Sequence, residues 1–198
     1  MQIAIFARAP VAGACKTRLI PALGAEGAAQ LHAQLVEKSL ATAMLLQDAE
    51  VTLWTAGNST DPFFLKQQMR WPRLRLKPQS EGDLGARMHE AFVATNAPML
   101  LIGSDCPALT TAHFMACHRA LSEQDAVFLP AEDGGYVLVG LNTPCLEVFR
   151  GINWSTDQVM EQTRSRLREQ GLSWSEPARL WDVDRPEDLV RLAELDIR

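Results

Sequence analysis

Short, mostly apolar runs that alternate with helical stretches constrain this chain more than any other feature. Ile3–Ala7, Val51–Thr55, Met99–Ile102 and Ala126–Leu129 are four or five residues each. A strand covered by helices on both faces reads this way, because neither face needs polar residues. Between the runs lie segments such as 25–47, rich in Ala, Leu and Gln, in which Leu31, Leu35 and Met44 share one helical face. The alternation predicts an α/β chain: a three-layer α/β/α fold around a mainly parallel mixed sheet, with six or seven strands and about six helices. Leu74–Lys77 and Tyr136–Leu141 complete the strand set. The latter follows its predecessor too closely for a helical crossover, so it should run antiparallel or lie outside the main sheet. Further helices are expected over 62–69, to about Thr95, from Thr110 or Thr111 to about Leu121, from Trp154 to about Gln170, and over 186–195. Trp181–Asp184 should be extended.

At 198 residues, 47% of them hydrophobic, residues 1–198 suit a single domain with a full core and no staple. The four cysteines form no C-x-x-C pair and have no histidine at zinc spacing, which suits reduced thiols and a cytoplasmic setting. The N-terminus has no basic start and its apolar run is too short for a signal peptide. No apolar stretch is long enough to span a membrane. The net charge of −5 argues against nucleic acid as partner. The charge is unevenly spread, about +2 over residues 1–100 and −7 over 101–198, which would suit phosphate binding by the first half and metal binding by the second. An apolar face over Tyr136–Phe149 could pair two copies in a homodimer.

The loop after the first strand is the first candidate site, since ligands of open α/β sheets bind beyond the carboxyl ends of the strands. There Gly13 lets backbone approach a ligand, and Arg8, Lys16 and Arg18 can neutralise a di- or triphosphate. The loop is not a Walker A motif, because Pro10 and Cys15 stand where glycines would be required. Asp105, directly after the apolar run 99–102, suits Mg²⁺, which takes one or two protein carboxylates and fills its other positions with phosphate and water. Asp105 could equally cap a turn before Pro107.

Asp182 and Asp184 alternate along one extended stretch and so point the same way. Asp184 with Glu187 and Pro186 also reads as a helix capping box. In Gln79–Met88, Gly82 and Gly85 suggest a tight loop, Gln79 can read a base edge, Arg87 can face phosphate, and Asp83 can either line the pocket or cap the helix. Asp133, Gly134 and Gly135 form either a simple turn or a backbone surface for substrate. Trp154 is either a packed aromatic or a substrate platform. The histidines His32, His89, His113 and His118 fall on helices and form no catalytic pattern.

Taken in order, K-T-R-L, Q-x-E-G-D-L-G-x-R-M, G-S-D-C-P, D-G-G-Y, W-S-T and D-V-D-x-P-E-D-L resemble the selenodomain-associated transferase 1 family, over nearly the whole chain. That resemblance implies the GT-A fold of nucleotide-diphospho-sugar transferases. A more distant similarity, to 2-phospho-L-lactate guanylyltransferase, lies in Lys16-x-Arg18-Leu19, Gly82-Asp83-Leu84, Asp105-x-Pro107 and Asp133-Gly134-Gly135. The closing Asp184-x-Pro186-Glu187-Asp188-Leu189 is similar to the end of CMP-Kdo synthetases, which implies that Asp184 joins Asp105 in holding Mg²⁺ or Mn²⁺. The chain differs from those enzymes in lacking their Gly-Gly opening, which leaves the base open.

The expected activity is a metal-dependent transfer on a nucleotide. Lys16, Arg18 and Asp105 are the expected catalytic residues; Arg8, Gly13, Gln79, Gly82, Asp83 and Arg87 are expected at the nucleotide. Asp133, Gly134, Gly135 and Trp154 are expected at the acceptor. Nucleotidyl transfer from an NTP to a small phosphorylated or carboxylated acceptor, releasing pyrophosphate, leads. Glycosyl transfer from a sugar nucleotide is the alternative, and a non-catalytic nucleotide-binding domain the second.

Overall fold

Alternate residues of the first strand, β1 (Gln2–Arg8), face two different cores. Ile3, Ile5 and Ala7 enter one, while Ala4 and Phe6 enter the other. This is the period of two that a sheet covered on both sides demands. The computed structural model describes residues 1–195. After β1 come α1 (Ile20–Met44), β2 (Glu50–Ala56), α2 (Pro62–Arg70), β3 (Arg75–Pro78), α3 (Leu84–Thr95) and β4 (Met99–Ile102). Next come α4 (Thr111–Ala120), β5 (Ala126–Pro130), β6 (Tyr136–Leu141), α5 (Val159–Glu169), β7 (Trp174–Ser175) and α6 (Asp188–Glu194).

The sheet runs β3-β2-β1-β4-β6-β5-β7. Ile3 pairs with Val51 on one side and Leu100 on the other, both in parallel. β6 alone runs against its neighbours β4 and β5, as its short connection required. Helices α1, α2 and α4 cover one face through Val36, Leu40, Phe64, Phe114 and Cys117. Helices α3 and α5 cover the other through Met88, Phe92, Met160 and Leu167. The fold is therefore the expected three-layer α/β mixed sheet. Each fully buried Leu, Ile or Phe contributes about 1.5–3 kcal/mol of transfer free energy. A third cluster joins the start of α1 to α6 through Leu19, Leu31, Leu35, Val183 and Leu192.

Four expectations are corrected. Helix α1 begins at Ile20 rather than near 25, across a break at Gly24 (φ 70°, ψ 169°). Helix α5 begins at Val159, because Ser155 lies in the left-handed region and interrupts the run from Trp154. Asp188, not Glu187, answers the turn before α6: its carboxylate accepts from the backbone N–H of Asp184 (2.9 Å) and Arg185 (2.7 Å). The apolar run of Tyr136–Phe149 is used up inside the protomer, since Leu138 and Val139 are fully buried in the two cores. Leu146 is the large apolar side chain of that run left exposed. The two-residue edge strand β7 was not expected from the sequence.

The parallel strands place their carboxyl ends along one edge. The loops after β1, β4 and β5 open there. Segment 180–184 crosses the same edge: Leu180 bridges to Ala131, and the Val183 N–H donates to the Asp105 carbonyl at 2.9 Å.

Candidate active site

Lys16 sits at the end of the β1 loop with a left-handed backbone (φ 48°). That conformation is uncommon for a residue with a Cβ, and here it turns the side chain back beneath the sheet edge. Its side chain is only 4% exposed, and Nζ lies 2.8 Å from Asp105 Oδ1. A buried ammonium is costly unless paired; this one also donates to the Val183 carbonyl. An ammonium has three protons, so one donor is left over. Arg18 and Asp184 form an ion pair beside it, with the arginine more than half exposed. Arg8 donates to the Ala14 carbonyl at 3.2 Å and closes the loop on itself. Gly13 has a positive φ and open space above it.

Arg8, Lys16, Arg18, Asp105 and Asp184 line one cavity of about 540 Å³; Gly13 does not line it. A second, of about 240 Å³, adjoins it and is lined by Gln79, Arg87, Phe6, Ala56 and Ser104. Arg8, His32, Leu84 and Asp105 border both. A third, of about 360 Å³, shares Arg18, Ser155 and Asp184 with the first and adds Asp133 and Asp182.

Of the remaining candidates, Gln79, Arg87 and Asp133 border the second or third cavity, and the others do not. The Asp83 side chain caps α3, accepting from the Ala86 N–H at 2.8 Å. Arg87 donates to the Gly82 carbonyl at 2.9 Å, and Gln79 to the Trp54 carbonyl at 2.9 Å, so both are braced while they border the second cavity. Asp133 accepts from the Gly135 N–H at 2.9 Å. Gly134 faces away from the three cavities, against the backbone of Asp157. Trp154 packs edge-on to Tyr136 with ring centres 6.4 Å apart, and lines none of the three.

Two residues gain weight that the sequence did not give them. Asp182 is half-buried, and its carboxyl is pushed up to about 6 by burial and by the negative charges of Asp133 and Asp105. His32 is 4% exposed and borders both of the first two cavities. A polar residue within the buried stripe Ala28, Leu31, Leu35, Val36 was the available signal. Burial holds its ring toward the neutral form, against the pull of Asp105.

No curated protein matches the chain. Among solved structures, a candidate nucleotide-diphospho-sugar transferase from Desulfovibrio desulfuricans G20 is 29% identical, with a TM-score of 0.87 over 96% of this chain and 85% of that one. CMP:2-keto-3-deoxy-manno-octonic acid synthetase, complexed with CTP, is 12% identical with a TM-score of 0.62 over 98% and 96%. A Mycobacterium tuberculosis H37Rv protein in complex with manganese is 13% identical with a TM-score of 0.60 over 98% and 98%. The latter two likenesses are of fold. The family profile for uncharacterised proteins conserved in bacteria, DUF2064, matches residues 39–156, more than half of the chain, and the chain belongs to that family.

Proposed function

We propose that this protein is a nucleotidyltransferase, residues 1–198 forming one transferase domain, that moves a nucleotidyl group from an NTP to a small acceptor and releases pyrophosphate. The observation that carries the reading is the set of three cations, Arg8, Lys16 and Arg18, around Asp105 at the carboxyl edge of the sheet. The fold shared with a CTP-bound synthetase and the distant guanylyltransferase resemblance of Lys16-x-Arg18-Leu19 both support it.

Lys16 uses its remaining proton on a phosphate oxygen. Arg18, with five N–H donors and only Asp184 to answer, offsets charge on the leaving pyrophosphate. Gln79 and Arg87 border the cleft for the nucleoside. Little covalent chemistry is asked of the chain, which is the usual case for phosphoryl transfer.

A divalent cation fits the donor set. Burial first, and then the negative charges of Asp133 and Asp105, push the Asp182 carboxyl up, and a 2+ charge nearby offsets the part that comes from those charges. Among the described residues no three His, Cys, Asp or Glu converge on one metal position; Mg²⁺ or Mn²⁺ with one or two protein carboxylates needs no such triad. Asp105 and Asp184 would hold it, and when bound it would offset charge on the α-phosphate.

The acceptor enters through the third cavity. There the free carboxylates of Asp133, Asp157 and Asp182 outweigh Arg185, once Arg18 and Arg191 are paired with Asp184 and Glu132. That balance favours a neutral, hydroxyl-bearing acceptor over the phosphorylated or carboxylated one expected from the sequence.

The test is product analysis over a panel of NTPs, sugar nucleotides and acceptors with Mg²⁺ or Mn²⁺. Pyrophosphate release supports this reading. Release of a nucleoside diphosphate from UDP-glucose or GDP-mannose supports glycosyl transfer, which the likeness to the Desulfovibrio protein favours. Asp105→Asn should abolish turnover with the far-UV spectrum unchanged; an undiminished rate rejects the site.

A further inference from the structure

His32 presents a buried, unsatisfied acceptor to the cavities. Its Nε2 donates to the Arg8 carbonyl at 3.0 Å. A carbonyl only accepts, so Nε2 carries a proton; in the neutral ring that burial favours, the lone pair is then on Nδ1. Nδ1 has no hydrogen-bond partner and lies 3.9 Å from Asp105 Oδ1. Two acceptors thus face each other with no proton between them; Asp105 Oδ1 is answered by Lys16 at 2.8 Å, and Nδ1 is not answered at all. Leaving a buried acceptor unanswered is unfavourable, and native proteins seldom do so without a ligand or water at hand.

The unmet partner is a hydrogen-bond donor or a cation. Phosphate oxygens at neutral pH only accept, so the triphosphate supplies neither. The place of His32 narrows the choice. It stands on the border between the cleft of Gln79 and Arg87 and the cavity of Lys16 and Arg18. In a nucleotide laid across that border, the group between base and phosphates is the sugar. A ribose carries two adjacent hydroxyls, and two neighbouring acceptors answer two adjacent donors.

Resting on the nucleotide reading above, we propose that His32 Nδ1 and the Asp105 carboxylate each accept a hydrogen bond from a ribose hydroxyl. His32 is then a specificity-determining residue, and the site selects ribonucleotides over deoxyribonucleotides. A site built to bond a hydroxyl rejects the analogue lacking it, because its own polar atoms are left unpaired.

The experiment is titration calorimetry of the whole protein with Mn²⁺ and ATP, GTP, CTP or UTP, then with the 2′-deoxy and 3′-deoxy forms of whichever binds. Wild type should bind the ribonucleotide on the order of tenfold or more tighter than at least one deoxy form. His32→Phe should bring that ratio close to one while leaving affinity for the deoxy form nearly unchanged. His32→Gln, which keeps a donor and an acceptor on one side chain, should restore part of it. Equal wild-type affinity for all three sugars overturns the proposal, whether or not the variants fold, and so does a His32→Phe variant that keeps both the 2′- and the 3′-deoxy ratios of wild type. Binding of none of the four NTPs overturns the nucleotide reading and this proposal with it.

Discussion

Gly134 shows how one residue can settle a motif that the sequence leaves open. A Cβ built there would lie 2.1 Å from the Asp157 carbonyl oxygen, at a backbone φ of +93°. Both the space and the conformation exclude a side chain. The Gly134 carbonyl also accepts from the Met160 N–H at 2.8 Å, so this glycine locks the 133–135 turn to the start of α5. Gly134→Ala should therefore cost about 2–4 kcal/mol in chemical denaturation; a change under about 0.5 kcal/mol would show that the approach is not tight. Lys16 illustrates the opposite case. The sequence marked its charge as a candidate for phosphate, but its burial and its pairing with Asp105 were not legible. Nothing in the local sequence says that an ammonium will be drawn under a sheet edge.

Helix α5 and strand β7 are the elements the sequence reads worst. Two residues of edge strand carry too little periodicity to register, and α5 is polar on most of its surface. What holds them is a side-chain clip. Arg164 on α5 donates twice to Glu176, at 2.8 and 2.7 Å, and the Trp174 indole N–H donates to the same carboxylate at 2.9 Å. These hydrogen bonds, from Arg164 first, hold the Glu176 carboxyl below its ordinary 4.5. A group whose folded-state value is depressed stabilises the fold above its unfolded value and loses that contribution as pH falls. Glu176→Gln should cost about 1 kcal/mol near pH 7, and the difference from wild type should close as pH drops below about 4. A gap that persists at low pH would assign the cost to packing instead. The strand order and the antiparallel sense of β6 were accessible, because connection length alone limits how two strands can pair.

At the scale of the molecule, six strands of one direction bring the loops after β1, β4 and β5 to a single edge, and the crossing segment 180–184 adds Asp182 and Asp184. A preformed site there should respond to ligand. An NTP at a hundred times its dissociation constant, with Mn²⁺ present, should add about 2.7 kcal/mol to stability, read as a rise in Tm. The rise should shrink when EDTA removes the metal; an equal rise without metal would count against Asp105 and Asp184 as its holders. By itself the sequence determined the α/β class, most strand positions and the two loops that meet at the carboxyl edge. Those follow from local periodicity and from where a strand must end. Only the tertiary structure decided that Lys16 reaches Val183, 167 residues away, that His32 faces Asp105, that Asp182 is crowded by other carboxylates, and that Trp154 is packed away from the cavities. Such contacts are set by how distant segments cross at the sheet edge, and no local pattern encodes that crossing.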